Sequence, residues 1–138
     1  METSAAERFI FSTLSADTAL TALVGSRIFN TRRPSPTTPF PCVVFQLQAA
    51  REDLVVLGGV RVWAEMLYLV RAIAEQTSYE GNLVTAANRI DAALSAVSGS
   101  NAAGVVWVCI RERPFQMAEI IEGRTFVHLG GIFRIQAR

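Results

Sequence analysis

Between residues 60 and 75 every even position is apolar (Val60, Val62, Ala64, Met66, Tyr68, Val70, Ala72, Ala74), and the charges Arg61, Glu65, Arg71 and Glu75 all stand on odd positions. That period of two predicts a strand with one buried face. Helical spacing also fits Trp63, Leu67, Val70 and Ala74. The strand is favoured because charge is confined to one parity and Gly58-Gly59 punctuates its start. A strand of that length spans roughly 50 Å, more than the core of a small domain requires. Part of it should therefore bend, or project toward a neighbour.

The remaining elements can be placed around this strand. Ser4-Ala-Ala-Glu7 reads as a capping box, followed by Phe9, Ile10 and Leu14 at helical spacing. Continued to Val24, that stripe would turn Asp17 and Thr21 toward the core. A break is therefore expected at Ser15, then a short helix with Leu20, Leu23 and Val24 inward and Gly25 as its terminator. Arg27–Phe29 reads as a short strand. Four of the five prolines (Pro34, Pro36, Pro39, Pro41) then crowd into eight positions. Each fixes its own φ and pushes its predecessor toward extended geometry, so 31–41 should form a stiff, polyproline-like arm. From Cys42 to Ala49, Val43, Phe45 and Leu47 alternate with Gln46 and Gln48 as in a half-buried strand, and "AREDL" at 50–54 reads as its turn.

Thr77-Ser-Tyr-Glu80 is a second capping box, opening a helix with Tyr79, Leu83, Ala86, Ile90, Leu94 and Val97 on one face and Gly99 past its end. "SGSNAAG" at 98–104 reads as a loop. Three strands are expected after it: Val105–Arg111, Phe115–Ile121 and Thr125–Ala137, the last interrupted at Gly130-Gly131. Pro114 divides the first two, and Glu122-Gly123 makes a hairpin turn before the third. The order α-β-β-β-α-β-β-β predicts one α+β domain over 1–138, a mostly antiparallel sheet with helices packed on one face.

Composition narrows the functional classes. Hydrophobic residues make up 51% of the chain and mean hydropathy is +0.31, high for a monomer with a solvated surface. Either the core is large or apolar surface meets other subunits. The apolar run Gly104–Ile110 holds seven residues, against roughly 20 needed to cross a bilayer, so no membrane partner is expected. Met1-Glu2-Thr3-Ser4 has neither the basic nor the apolar region of a secretory signal, and the chain is expected to work where it is made. Thirteen arginines and no lysines against twelve acids leave a net charge of +1, too balanced to hold DNA by phosphate neutralisation alone.

A search for chemistry finds little. His128 is the only histidine; strand parity sets it with Phe126 and Ile132, and without a neighbouring carboxylate or cysteine pair in sequence it reads as structural. Cys42 and Cys109 sit in apolar strand-like runs, as free buried thiols do. Convergence of both with His128 would make a thiol nucleophile or a zinc site, but none has the flanks or spacing of one. Phosphate-binding and nucleophile-elbow motifs are missing, and the glycine pairs read as bulges or bends. No catalytic residue, cofactor or metal is expected. Arg32-Arg33 beside the stiff arm is either solvated or part of an interface.

Taken together, "ALTALVGSRIFNTRRPSPTTPFPCVVFQ" (19–46), "TSYEGNLVTAANRIDAAL" (77–94) and "EIIEGRTFVHLGGIFRIQAR" (119–138) resemble the tail-completion, or tail-terminator, proteins of long-tailed bacteriophages. The matching residues are Leu23-Val24-Gly25 with Arg27-Ile28-Phe29, Pro39 and Pro41 before Val43-Val44-Phe45, and Gly123-Arg124-Thr125. Segment 51–75 departs from the family pattern through the added apolar Leu54–Leu57. The resemblance implies a structural virion protein, assembled in the host bacterial cytoplasm and located at the tail neck. It would form a hexameric ring that caps the tail tube, ends its polymerisation and joins the tail to the head connector. Implied partners are other copies of the chain, the tail tube protein and a head–tail connector or stopper protein, with DNA only passing through the lumen. The family has no catalytic residues to carry over. Arg32, Arg33, Pro34, Pro36, Glu122, Gly123 and Arg124 are the expected assembly interface, the stiff arm reaching a neighbour at low entropic cost. Two alternatives stay open: a head-completion or stopper protein of the neck, and a dimeric α+β module holding a small ligand between its sheet and the Tyr79 helix.

Overall fold

A computed structural model describes residues 2–33, 37, 39–54 and 61–138; Pro34, Pro36 and residues 55–60, with Gly58-Gly59, lie outside these. Helices α1 (Glu2–Ala16) and α2 (Thr18–Val24) lead into strands β1 (Ile28–Asn30), β2 (Cys42–Leu54) and β3 (Arg61–Glu75). A tight 3-10 turn (Gln76–Ser78) and a wide π turn (Tyr79–Leu83) open α3 (Val84–Leu94), followed by β4 (Val97–Asn101), β5 (Gly104–Ile121) and β6 (Arg124–Ala137). The fold is α+β. One six-stranded sheet runs β1-β2-β3-β6-β5-β4, antiparallel except for the parallel pair β1–β2.

The strand expected from the period of two is β3, and it lies at the centre of the sheet. It is paired with β2 from Arg61 to Ile73 and with β6 from Ala64 to Glu75, so it does not project. Its partners, of 13 and 14 residues against its 15, are nearly as long. Register shifts in β2 at Leu47/Ala49 and in β5 at Val106/Val108 and Arg111/Arg113 supply the bending, because each extra residue raises the local twist. The even residues Ala64, Met66, Tyr68, Val70, Ala72 and Ala74 join Phe133 and Ile135 of β6 in one core cluster with Ile10, Leu14, Leu20, Ile90 and Leu94 from the helices. All three helices thus cover one face of the sheet.

Several boundaries differ from the sequence reading, each for a tertiary reason. α1 begins at Glu2 rather than after Ser4, because the Tyr68 hydroxyl reaches both the Thr3 carbonyl and the Glu7 carboxylate at 3.4 Å and holds the extra turn on the sheet. The break between α1 and α2 is made by Asp17, not Ser15. Its carboxylate accepts the Leu20 N–H at 2.9 Å and pairs with Arg89 at 2.6 Å, so the polar residue that the stripe could not bury becomes the cap. Gly25 ends α2 at φ 59, as expected.

"AREDL" is strand, not turn, since β2 stays paired with β3 as far as Leu54. The cap position before the 76–78 turn is Glu75 rather than Thr77; β3 runs straight into the helical segment, and Arg124 holds Glu75 at 2.6 Å. α3 stops at Leu94 rather than Val97. Ala96 turns at φ 53, and Val97–Asn101, expected as helix end and loop, is β4 on β5. α1 decides this: a Cβ on Gly99 would lie 3.1 Å from the Phe9 ring, and the Asn101 amide donates to the Ala5 carbonyl at 3.0 Å. Finally, β5 runs unbroken through Pro114. Past Cys109 it has β6 on one side and no paired strand on the other, so the missing proline N–H costs no ladder bond.

Candidate assembly surfaces

Apolar side chains that the core does not use are distributed very unevenly. Of the eight large hydrophobic residues exposed among the described ones, six belong to β5: Val105, Trp107, Ile110, Met117, Ile120 and Ile121. Ile120, 76% exposed, is the most open of them. The outer half of this strand is also an open sheet edge, a row of N–H and C=O groups suited to pairing with another chain. Sequence hinted at this. In Val105–Ile110, and again at Ile120-Ile121, both parities are apolar, whereas a strand with one face in water keeps only one.

The opposite edge of the sheet carries a groove. Between α1 and β1 lies an open groove of about 650 Å³, lined by Arg8, Phe11, Ile28, Asn30, Arg32 and Phe45 among others. Phe11 is 48% exposed. It stands off the Phe9, Ile10, Leu14 stripe, an aromatic on the wrong side of an amphipathic helix, and that was the available signal.

Of the residues expected at an interface, Arg32 lies exposed on the rim of this groove. Arg33, one residue on, is half-buried and lies 4.2 Å from the centre of the Phe40 ring, which packs on Phe126 at 4.6 Å. Both ends of the 31–41 segment are held on the chain's own sheet: Thr31 N–H donates to Phe45 at 2.7 Å, and the Arg27 guanidinium donates to the Pro41 carbonyl at 2.9 Å. Glu122 and Gly123 form the two-residue turn of the β5–β6 hairpin, with φ 51 and 77. Positive φ at both positions matches the twist of the flanking strands. Arg124 is turned back onto Glu75. The structure therefore separates the expected residues into two groups, at the β1 side and at the hairpin end.

On the helix-free face a polar chain crosses four strands. Arg71 donates to Gln46 Oε1 at 2.8 Å and, through Nε, to His128 Nδ1 at 3.0 Å; His128 Nε2 meets Glu119 Oε1 at 2.7 Å. With Nδ1 accepting, the ring is neutral and its proton lies on Nε2 toward Glu119. His128 is 4% exposed. Burial, opposed by Glu119 and reinforced by Arg71 and Arg33, holds its pKa below the ordinary 6.5. The sequence reading found His128 on the correct face but missed its carboxylate, because Glu119 is brought opposite only by the hairpin.

A lowered histidine pKa means the unfolded chain binds the proton more tightly than the folded one. Stability should be complete above about pH 6.5 and fall as pH drops through that value. Urea unfolding between pH 7.5 and 5.5 should show this fall in the parent and a flatter profile in His128→Gln. Equal slopes would remove His128 from the acid response.

The two thiols stand on opposite faces of the sheet. Cys109 is packed in the helix-side core, and burial pushes its pKa up to about 12. Cys42 is packed with Val44, Ile73 and Phe126 on the other side, pushed up to about 11 by burial. Ile73 separates Cys42 from His128 in the strand register, a spacing of roughly 10 Å across two strand steps. These three residues do not converge, and no group of three or more His, Cys, Asp or Glu among the described residues could hold a metal ion.

Residues 8–113 match the family described as tail completion protein gp17. A solved chain from the virion of a native gene transfer agent particle superposes with a TM-score of 0.70 at 19% identity, covering 98% of this chain and 96% of that one, a likeness of fold. No curated protein matches the sequence.

Proposed function

Because this chain belongs to the tail completion protein gp17 family, a family of structural phage tail proteins, we propose that it assembles as a ring on the last turn of the tail tube, stops the tube growing and offers its free surface to the head connector. The observation that carries this reading is the placing of spare apolar surface at two opposite edges of one sheet, β5 on one side and the α1–β1 groove on the other. Two different patches on opposite sides make a head-to-tail contact, which closes into a ring when the rotation allows. The partners are further copies of the chain, the tube protein and a connector or stopper protein, with DNA passing through the lumen. Its work is mechanical, not enzymatic. Beneath α3 itself Leu83, Ala86, Ile90 and Leu94 pack into the core, so the alternative of a small ligand between sheet and helix is left with the open pocket of about 400 Å³ beside Tyr79, lined also by Gln116, Ala118, Thr125 and Val127.

Tail tubes grown from their own tube protein test the proposal. With the chain present, lengths should be narrowly distributed and one end blunt, whereas tubes grown without it should be longer and ragged. Indistinguishable length distributions would reject the capping role.

A further inference from the structure

The α1–β1 groove and the outer half of β5 match in apolar character and in charge. Two cations, Arg8 and Arg32, flank Phe11 and are exposed on the groove side, and neither makes an ion pair among the described residues. The acid on that side, Glu7, accepts the Tyr68 hydroxyl. At the hairpin end the signs reverse. Glu122 stands at the turn beside Ile120 and Ile121, while Glu119 is engaged with His128 at 2.7 Å and the cation there, Arg124, is held by Glu75 at 2.6 Å. This leaves Arg8 and Arg32 as the cations around the groove and Glu122 as the acid at the hairpin tip, opposite charge on the two surfaces. Such complementarity selects a partner and fixes register.

We propose that the occupant of the α1–β1 groove is the Met117–Glu122 end of β5 from a second copy of this chain, with Ile120 seated against Phe11 and Glu122 facing Arg32. The inference rests on the ring reading and specifies its joint. Groove and hairpin end lie on opposite edges of the sheet, so every copy offers one and receives one, and no copy is left self-complementary. Burial of Ile120 and Phe11 excludes water from the charged pairs around them, as at the centre of an interface.

Cysteine cross-linking on the full chain tests this, with tail tubes supplied when the ring forms only on them. The native thiols Cys42 and Cys109 are buried, and positions 11 and 120 are exposed enough for substitution without disturbing the core. A chain carrying both Phe11→Cys and Ile120→Cys, treated with a short bismaleimide, should give a ladder of covalent multimers ending at the closed ring. Either single variant should stay monomeric on a denaturing gel. Dimers from a single variant would mean a self-complementary contact and overturn the proposal. A ring of normal mass with no ladder would also overturn it, placing the joint elsewhere while the ring reading survives. No assembly by the parent chain, with or without tubes, would remove both.

Discussion

Ile90→Asp is expected to abolish folding. Ile90 is 1% exposed on α3, in register with Ala86 and Leu94, and lies in the core cluster that joins the helices to β3 and β6. Loss of its packing alone costs about 2–5 kcal/mol, and a carboxylate left there without a partner adds several more. Together these match the roughly 5–15 kcal/mol that holds a domain folded. Circular dichroism and gel filtration should show an unfolded or aggregated chain. A soluble Ile90→Asp variant that melts cooperatively near the parent would take α3 out of the core.

Gly130→Ala should be nearly as damaging although it adds only a methyl group. Gly130 pairs with Arg71 of β3 and Phe115 of β5 at the middle of the sheet. A Cβ there would run into the Val70 carbonyl and come within 2.7 Å of Arg71 Cα. Both obstacles are backbone, so neither can swing aside, and β3 and β6 must separate at the point where the Arg71–His128 contact crosses them. Urea unfolding should show a loss of about 3 kcal/mol or more. The control is Gly81→Ala, where nothing lies within 4 Å of the new carbon and stability should hold. If Gly130→Ala unfolds with the parent, the β3–β6 register described above is wrong.

The pair shows where sequence was informative and where it was not. Ile90 is legible from helical spacing, as β3 is from its period of two, because both patterns repeat over many residues and local sequence reports them directly. Gly130 reads as a bend in sequence; its real constraint is the approach of Val70, sixty residues away, which no local pattern contains. The same limit explains the errors around α3 and β4. "SGSNAAG" has loop composition, but Phe9 against Gly99 and Asn101 against Ala5 make its first residues a strand.

Surface features follow the same rule. The hairpin turn was visible in Glu122-Gly123, since a two-residue turn carries its own chemistry. The prolines and Arg32-Arg33 drew attention to the β1 side of the molecule, but the groove beside them needed Phe11 from α1, some twenty residues upstream, to be recognised. The exposed row on β5 was likewise hidden by the reading of Pro114 as a break. Once β5 is one strand with an open edge, its exposed apolar residues stand along one edge of the sheet, Ile120 on the helix side and Met117 and Ile121 on the other.

The most direct test is to image the particle that contains this chain by electron cryo-microscopy and locate this fold in it. The account predicts one ring at the head-proximal end of the tail tube, with the Met117–Glu122 end of each copy lying in the α1–β1 groove of the next. Density for the chain repeated along the tube, or found in the head with none at the tube end, would contradict it.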